Sequence, residues 1–121
     1  MESLRINATD DTPEIILDKE KGKFEFNGRS LPEDSADFFT PIINWLKAYR
    51  NDPNESTQVV FNLDYFNTAS SKFIQDILQI LDDVPRTKIV WYFHEDDEDM
   101  EQMGKELAEL VEIPFEYKSY H

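Results

Sequence analysis

Thr57-Gln58-Val59-Val60-Phe61-Asn62-Leu63-Asp64-Tyr65-Phe66-Asn67-Thr68-Ala69-Ser70-Ser71-Lys72 carries the chain from one kind of element into another. Residues 57–63 are rich in β-branched and aromatic side chains, the composition of a strand. From about Ala69 to Asp83, the residues Phe73, Ile74, Ile77, Leu78 and Leu81 recur at three- and four-residue spacing and mark the inner face of a helix. Residues 64–68 form the loop between them. A strand running directly into a helix is half of a crossover unit, and such units build parallel sheets with right-handed connections.

The same alternation continues on both sides. Lys88-Ile89-Val90-Trp91-Tyr92-Phe93 is a nearly unbroken apolar run, which predicts a central strand covered on both faces. A helix over Glu98–Val111 follows, with Met103, Leu107, Leu110 and Val111 inward, and Pro114 leads into a last strand over Phe115–Tyr120. Upstream, Glu14–Asp18 and the alternating Lys23–Asn27 predict a β-hairpin, with Asn27-Gly28 starting its exit turn. Met1–Thr12 reads as a polar lead-in. Between the hairpin and residue 57, Phe38, Phe39, Ile42, Ile43, Leu46 and Tyr49 mark one helix face. Pro41 allows two starts for that helix: Thr40 as cap with Pro41 at the first position, or Ser35 with a disturbed first turn. The second keeps Phe38 and Phe39 on the shared face. The expected architecture is one α/β domain over residues 1–121, in the order β-β-α-β-α-β-α-β, with a mixed, mostly parallel sheet.

Twelve Lys and Arg against 26 Asp and Glu leave a net charge of −14. A nucleic-acid or anionic membrane partner requires a basic face, and no such run exists here. No apolar stretch approaches the ~20 residues of a membrane span. The polar N-terminus has no signal-peptide core, and the absence of cysteine fits a reducing compartment, so a cytoplasmic protein is expected. Without cysteine there is no thiolate nucleophile or zinc thiolate site.

Little in the chain suggests catalysis. The three glycines, Gly22, Gly28 and Gly104, form no phosphate-cradling loop. His94 and the acidic run Glu95-Asp96-Asp97-Glu98-Asp99 are the only candidates for acid–base or metal chemistry. The run lacks calcium-loop spacing, and acids at a helix start also serve its dipole. No metal site, cofactor or enzymatic activity is expected. The turn at 67–72 is more informative, because it lies at the carboxyl end of the strands, where partner sites collect. It places Thr68, Ser70 and Ser71 on one first helical turn, where a phosphate would meet free N–H groups and the positive end of the helix dipole. The same residues also serve simply as caps, with Asn67 or Thr68 at the N-cap.

Thr12-Pro13, Gly28-Arg29-Ser30-Leu31-Pro32-Glu33, Trp45, Tyr65-Phe66-Asn67-Thr68-Ala69-Ser70-Ser71-Lys72, Trp91 and Asp96-Asp97-Glu98-Asp99-Met100 together resemble, in order, the SiaC-type regulatory phosphoproteins of bacteria. The resemblance implies a fold similar to the STAS domains of anti-anti-sigma factors. It implies a hydroxyl acceptor phosphorylated by a histidine-kinase-like serine/threonine kinase and dephosphorylated by a metal-dependent phosphatase. It further implies that the unphosphorylated protein binds and activates a diguanylate cyclase, whose cyclic di-GMP promotes biofilm formation. The family's acceptor falls on Thr68. Asn67, Ser70, Ser71 and Lys72 are then expected to shape the acceptor loop, and Tyr65 and Phe66 to supply apolar contact to a partner, with burial under the loop the equal alternative for Phe66. The alternatives are a constitutive interaction module in which Thr68 is only a cap, and a small enzyme built on His94 and residues 95–99.

Overall fold

Phe24 and Phe26 set the apolar face of the sheet. In the computed structural model, which describes residues 1–121, they lie on β3 (Lys23–Ser30) opposite Leu17 and Ile15 of the antiparallel β2 (Glu14–Asp18). The hairpin turn between them closes with Gly22 at φ 64°, a conformation that favours glycine. The expected lead-in contains a further short strand, β1 (Leu4–Ile6), with Leu4 opposite Leu17 and Ile6 opposite Ile15. Its three residues give too little alternation to be recognised alone. Pairing with β2 and a hydrogen bond from Trp45 Nε1 to the Glu2 carbonyl (2.7 Å) hold the segment in place.

The elements that follow are α1 (Ser35–Asn51), β4 (Thr57–Phe66), α2 (Thr68–Asp82), β5 (Thr87–His94), α3 (Glu98–Ala108) and β6 (Phe115–Tyr120). The strands lie in sequential order, β1 to β6, in one six-stranded sheet. Its first two pairings are antiparallel, and β3 through β6 run parallel. The fold class is therefore the mixed, mostly parallel α/β domain expected, extended by one edge strand.

Helix α1 starts at Ser35. Asp34 caps it by accepting the Asp37 N–H (3.0 Å), and Pro41 lies inside the helix. Pro41 and Asp37 are both exposed, so the Asp37 carbonyl that Pro41 leaves without a donor has water available. The Thr40 hydroxyl donates back to the Ala36 carbonyl in the same turn.

Sequential strand order with right-handed crossovers puts all three helices on one side of the sheet. The core agrees: Phe24, Phe26, Phe61, Leu63, Ile89 and Trp91 share one cluster with Ile42, Leu46, Ile74, Ile77, Met100 and Leu107 from the helices. Ile16 and Val90 are buried but lie outside that cluster, on the opposite face. This corrects the expectation that β5 is covered on both faces. Val90 sits in register between Val60 and Glu116, and the neighbouring Lys88–Glu116 ion pair (3.1 Å) and the Lys118 ammonium over the Tyr92 ring shade it. Long polar side chains can cover a small apolar one without a second layer.

The expected inner face of α3 also changes. The helix ends at Ala108, short of Val111, and its buried residues are Met100, Gly104 and Leu107. Gly104 packs directly on Trp91: a Cβ there would stand 2.6 Å from two atoms of the indole. The indole Nε1 donates to the Met100 carbonyl at 3.0 Å, so the absence of a side chain at 104 lets α3 settle onto Trp91. Met103 and Leu110, expected inward, are exposed.

Candidate functional site

The end of β4 is built differently from the reading of residues 64–68 as a loop. The strand continues to Phe66, and the expected exit turn at Asn27-Gly28 is instead continued strand with a bulge. Gly28 faces Leu63, but Arg29 faces Tyr65, so Asp64 is the extra residue on β4. Gly28 has φ 118°, which favours glycine, and a Cβ there would meet the Pro13 Cα at 3.6 Å. The bulge carries β3 and β4 together as far as the pair Ser30–Phe66.

That pairing places a buried serine under the start of α2. The Ser30 carbonyl accepts both the Asn67 N–H (3.1 Å) and the Ser70 hydroxyl (3.1 Å), and the Ser30 and Ser70 hydroxyls lie 2.9 Å apart. Asn67 is the N-cap, its side chain accepting the Ser70 N–H at 2.8 Å, while its carbonyl accepts the Ser71 N–H at 3.0 Å. Thr68 is the first residue of α2, and its side chain is exposed. No side chain occupies the amide N–H of Thr68 or Ala69. This frame presents the exposed Thr68 hydroxyl, with Ser71 partly exposed on the same turn, at the positive end of a helix.

The structure separates the sequence-predicted residues. Thr68 and Lys72 are exposed, and Lys72 makes no ion pair. Asn67 and Ser71 are partly exposed. Tyr65 is half exposed, whereas Phe66 and Ser70, expected to meet a partner or shape an open loop, retain 3% and 0% of their surface. Phe66 packs edge-on to Trp91 with ring centres 6.3 Å apart, and Ser70 is held by Ser30.

An open groove runs along α3, facing the end of β4 and the Ser71–Gln75 side of α2. One part, about 470 Å³, is lined by residues including Asp64, Tyr65, Phe66, Asp97, Asp99 and Met103. An adjoining part, about 210 Å³, adds Ser71, Gln75, Leu107 and Leu110. Tyr65, Met103 and Leu110, exposed by 50%, 37% and 54%, are three of the four large apolar residues left at the surface, and all line this groove. Sequence reading misses Met103 as a surface residue because it rotates the inner face of α3 from Met100 and Gly104 toward Met103, and misses Leu110 because it carries the helical period past Ala108. The spacing of Met100, Gly104 and Leu107 was the signal for the true inner face.

Acidic residues rim the groove. Asp97 caps α3 by accepting the Met100 N–H at 2.9 Å. Asp64 accepts a hydrogen bond from the Tyr120 hydroxyl (3.3 Å), and burial together with the Asp64 charge pushes that phenol above its ordinary range. His94 uses Nδ1 to accept the Asp96 N–H (3.1 Å), and Glu95 contacts His121 at 2.7 Å. No three His, Asp or Glu side chains are grouped to hold a metal ion. No helix is long and apolar enough to cross a membrane.

Similarity to known proteins extends along nearly the whole chain. Residues 6–120 match the model of the SiaC family regulatory phosphoproteins. An uncharacterized protein of Pseudomonas aeruginosa is 27% identical, covering 99% of this chain and 98% of its own. The structure of SiaC of Pseudomonas aeruginosa aligns at TM-score 0.90 with 27% identity, over 99% of this chain and 100% of that one. SiaC in the crystal structure of the diguanylate cyclase SiaD in complex with its activator SiaC, also from Pseudomonas aeruginosa, aligns at TM-score 0.90 with 28% identity, over 97% and 99% of the two chains. The chain belongs to the SiaC family of regulatory phosphoproteins.

Proposed function

We propose that this chain is a non-enzymatic, cytoplasmic partner switch whose unphosphorylated form binds and activates a diguanylate cyclase, and that phosphate on Thr68 releases the cyclase. The observation that carries the reading is the placement of Thr68: an exposed hydroxyl on a helix N-terminus whose first turn also carries Ser71, a residue that lines the groove holding Tyr65, Met103 and Leu110. A partner seated over Thr68 and these apolar side chains would dehydrate the threonine. A phosphate there adds roughly −1.5 to −2 charges and a large dehydration cost. The capture of the related SiaC with the cyclase SiaD supports the effector class.

Ser70 is closed to a kinase in the folded chain because its hydroxyl is fully buried against Ser30. Ser71 is partly exposed, and Lys72 lies one turn from Thr68, where its charge would offset part of a phosphate. The enzymes that write and erase the mark are, in this reading, a histidine-kinase-like serine/threonine kinase and a metal-dependent phosphatase.

The test is affinity capture from native cell extract with wild-type, Thr68→Ala and Thr68→Glu proteins, read by mass spectrometry. A diguanylate cyclase recovered by wild type and Thr68→Ala but not by Thr68→Glu is the expected result. Equal recovery by all three folded proteins would make the chain a constitutive module, with Thr68 only a helix residue. Recovery of no cyclase by any of them would remove the effector assignment.

A further inference from the structure

The sheet has two edges, and they are unequal. β1 offers three residues, whereas β6 offers six, with no element paired beyond it. The Tyr120 carbonyl accepts the Glu95 N–H (2.8 Å), and the Pro114 carbonyl accepts the Ile89 N–H (3.0 Å), so the even-numbered residues turn their peptide groups toward β5. Peptide groups alternate in direction along a strand, so Phe115, Tyr117 and Ser119 aim their N–H and C=O groups outward. The even residues Glu116 and Lys118 carry opposite charges two positions apart, on the sheet face away from the helices.

We infer that the free edge of β6 pairs antiparallel with β6 of a second copy of this chain, centred on Tyr117, to give a two-fold dimer with one continuous sheet. Charge and hydrogen-bond parity both select this register. Tyr117 faces its own copy and exchanges both peptide hydrogen bonds with it. Phe115 and Ser119 face each other across the axis in two further exchanged pairs. Glu116 of each copy then stands opposite Lys118 of the other, in the closely spaced non-hydrogen-bonded positions where side chains interact best. Charged residues on an edge often discourage pairing, but here their order along the strand makes the edge complementary to itself. The axis runs perpendicular to the sheet, so both helix layers stay on one side and the two Thr68 sites point in opposite directions. The net charge of −14 on each chain opposes the association, which therefore strengthens as salt is raised toward ~0.15 M.

Sedimentation velocity over a concentration series tests the dimer on the full chain. Lys118→Glu sets glutamate against glutamate across the axis, and Glu116→Lys sets lysine against lysine. Each is expected to weaken self-association by about tenfold. An equimolar mixture of the two variants restores both opposite-charge pairs and is expected to recover the wild-type affinity as a heterodimer. Ser119→Pro removes an outward N–H without touching a bond to β5, and its exposed side chain makes it a second probe if Glu116→Lys disturbs Lys88. It is expected to be monomeric with an unchanged circular dichroism spectrum. A wild type that stays monomeric to about 1 mM would overturn the inference. Charge variants or a folded Ser119→Pro protein that associate as well as wild type would do the same.

Discussion

The hydroxyls of Ser30 and Ser70 lie 2.9 Å apart in the interior, joining the end of β3 to the first turn of α2. They are 40 residues apart in the chain, and every buried polar side-chain atom in the domain, theirs included, has a partner. Ser70→Ala leaves the Ser30 hydroxyl unpaired, an expected cost of about 1–2 kcal/mol in urea denaturation. Replacing both serines by alanine is expected to cost less than the sum of the single changes. Strictly additive losses would show that the two hydroxyls act independently.

Asn67 holds the first turn of α2 by a different route. Asn67→Ala removes the acceptor for the Ser70 N–H and is expected to cost about 1 kcal/mol, whereas Asn67→Asp keeps a capping oxygen and a favourable charge at the helix start. Thermal melts of the two variants separate capping from mere occupancy. An alanine variant as stable as the aspartate variant would show that the buried Ser30–Ser70 contact alone orders the turn.

Gly104→Ala brings a methyl carbon within 2.6 Å of the Trp91 ring. Helix propensity favours alanine by about 1 kcal/mol, but the forced displacement of α3 outweighs it, for a net loss of about 1–3 kcal/mol. The expected signature is lower stability with altered tryptophan fluorescence, because Trp91 is one of only two indoles in the chain. Stabilisation with an unchanged spectrum would mean that α3 moves freely on β5.

Acid removes a stabilising contribution at Asp18. Its carboxylate accepts the Lys21 N–H (3.0 Å) and, more weakly, a hydrogen bond from Arg5 (3.4 Å), and these hold it below the ordinary aspartate range despite its burial. The folded value lies below the unfolded one, so its contribution is complete above about pH 4 and is lost as pH falls through the folded value. Asp18→Asn is expected to flatten the acid limb of the stability curve measured by urea titration at stepped pH. An acid limb identical to wild type would exclude Asp18 as a contributor.

Long, regular elements were legible in the chain. The helix over Ala69–Asp83 differs from α2 by one residue at each end, and the choice of Ser35 over Thr40 for α1 rested on Phe38 and Phe39 sharing a face. Elements whose existence depends on a neighbour were not. β1 is ordered by β2, and the extension of β4 to Phe66 depends on a bulge opposite Gly28, which looks like a turn signal when read alone. The hydroxyl-rich turn at residues 67–72 was legible by composition, and the surface around it was only partly so.

Periodicity and residue type determined by themselves that this chain forms an α/β domain with a hydroxyl-rich turn at the end of a strand, because backbone preferences and amphipathic spacing act over a few residues. Only the tertiary structure decided which of those hydroxyls reaches water. Ser70 is buried by Ser30 from a distant strand, Thr68 is left exposed at the first helical position after the cap, and Tyr65, Met103 and Leu110 meet in one groove. Exposure is a property of what packs above a side chain, and at this site that is contributed by β3 and α3, far from residues 65–72 in the chain.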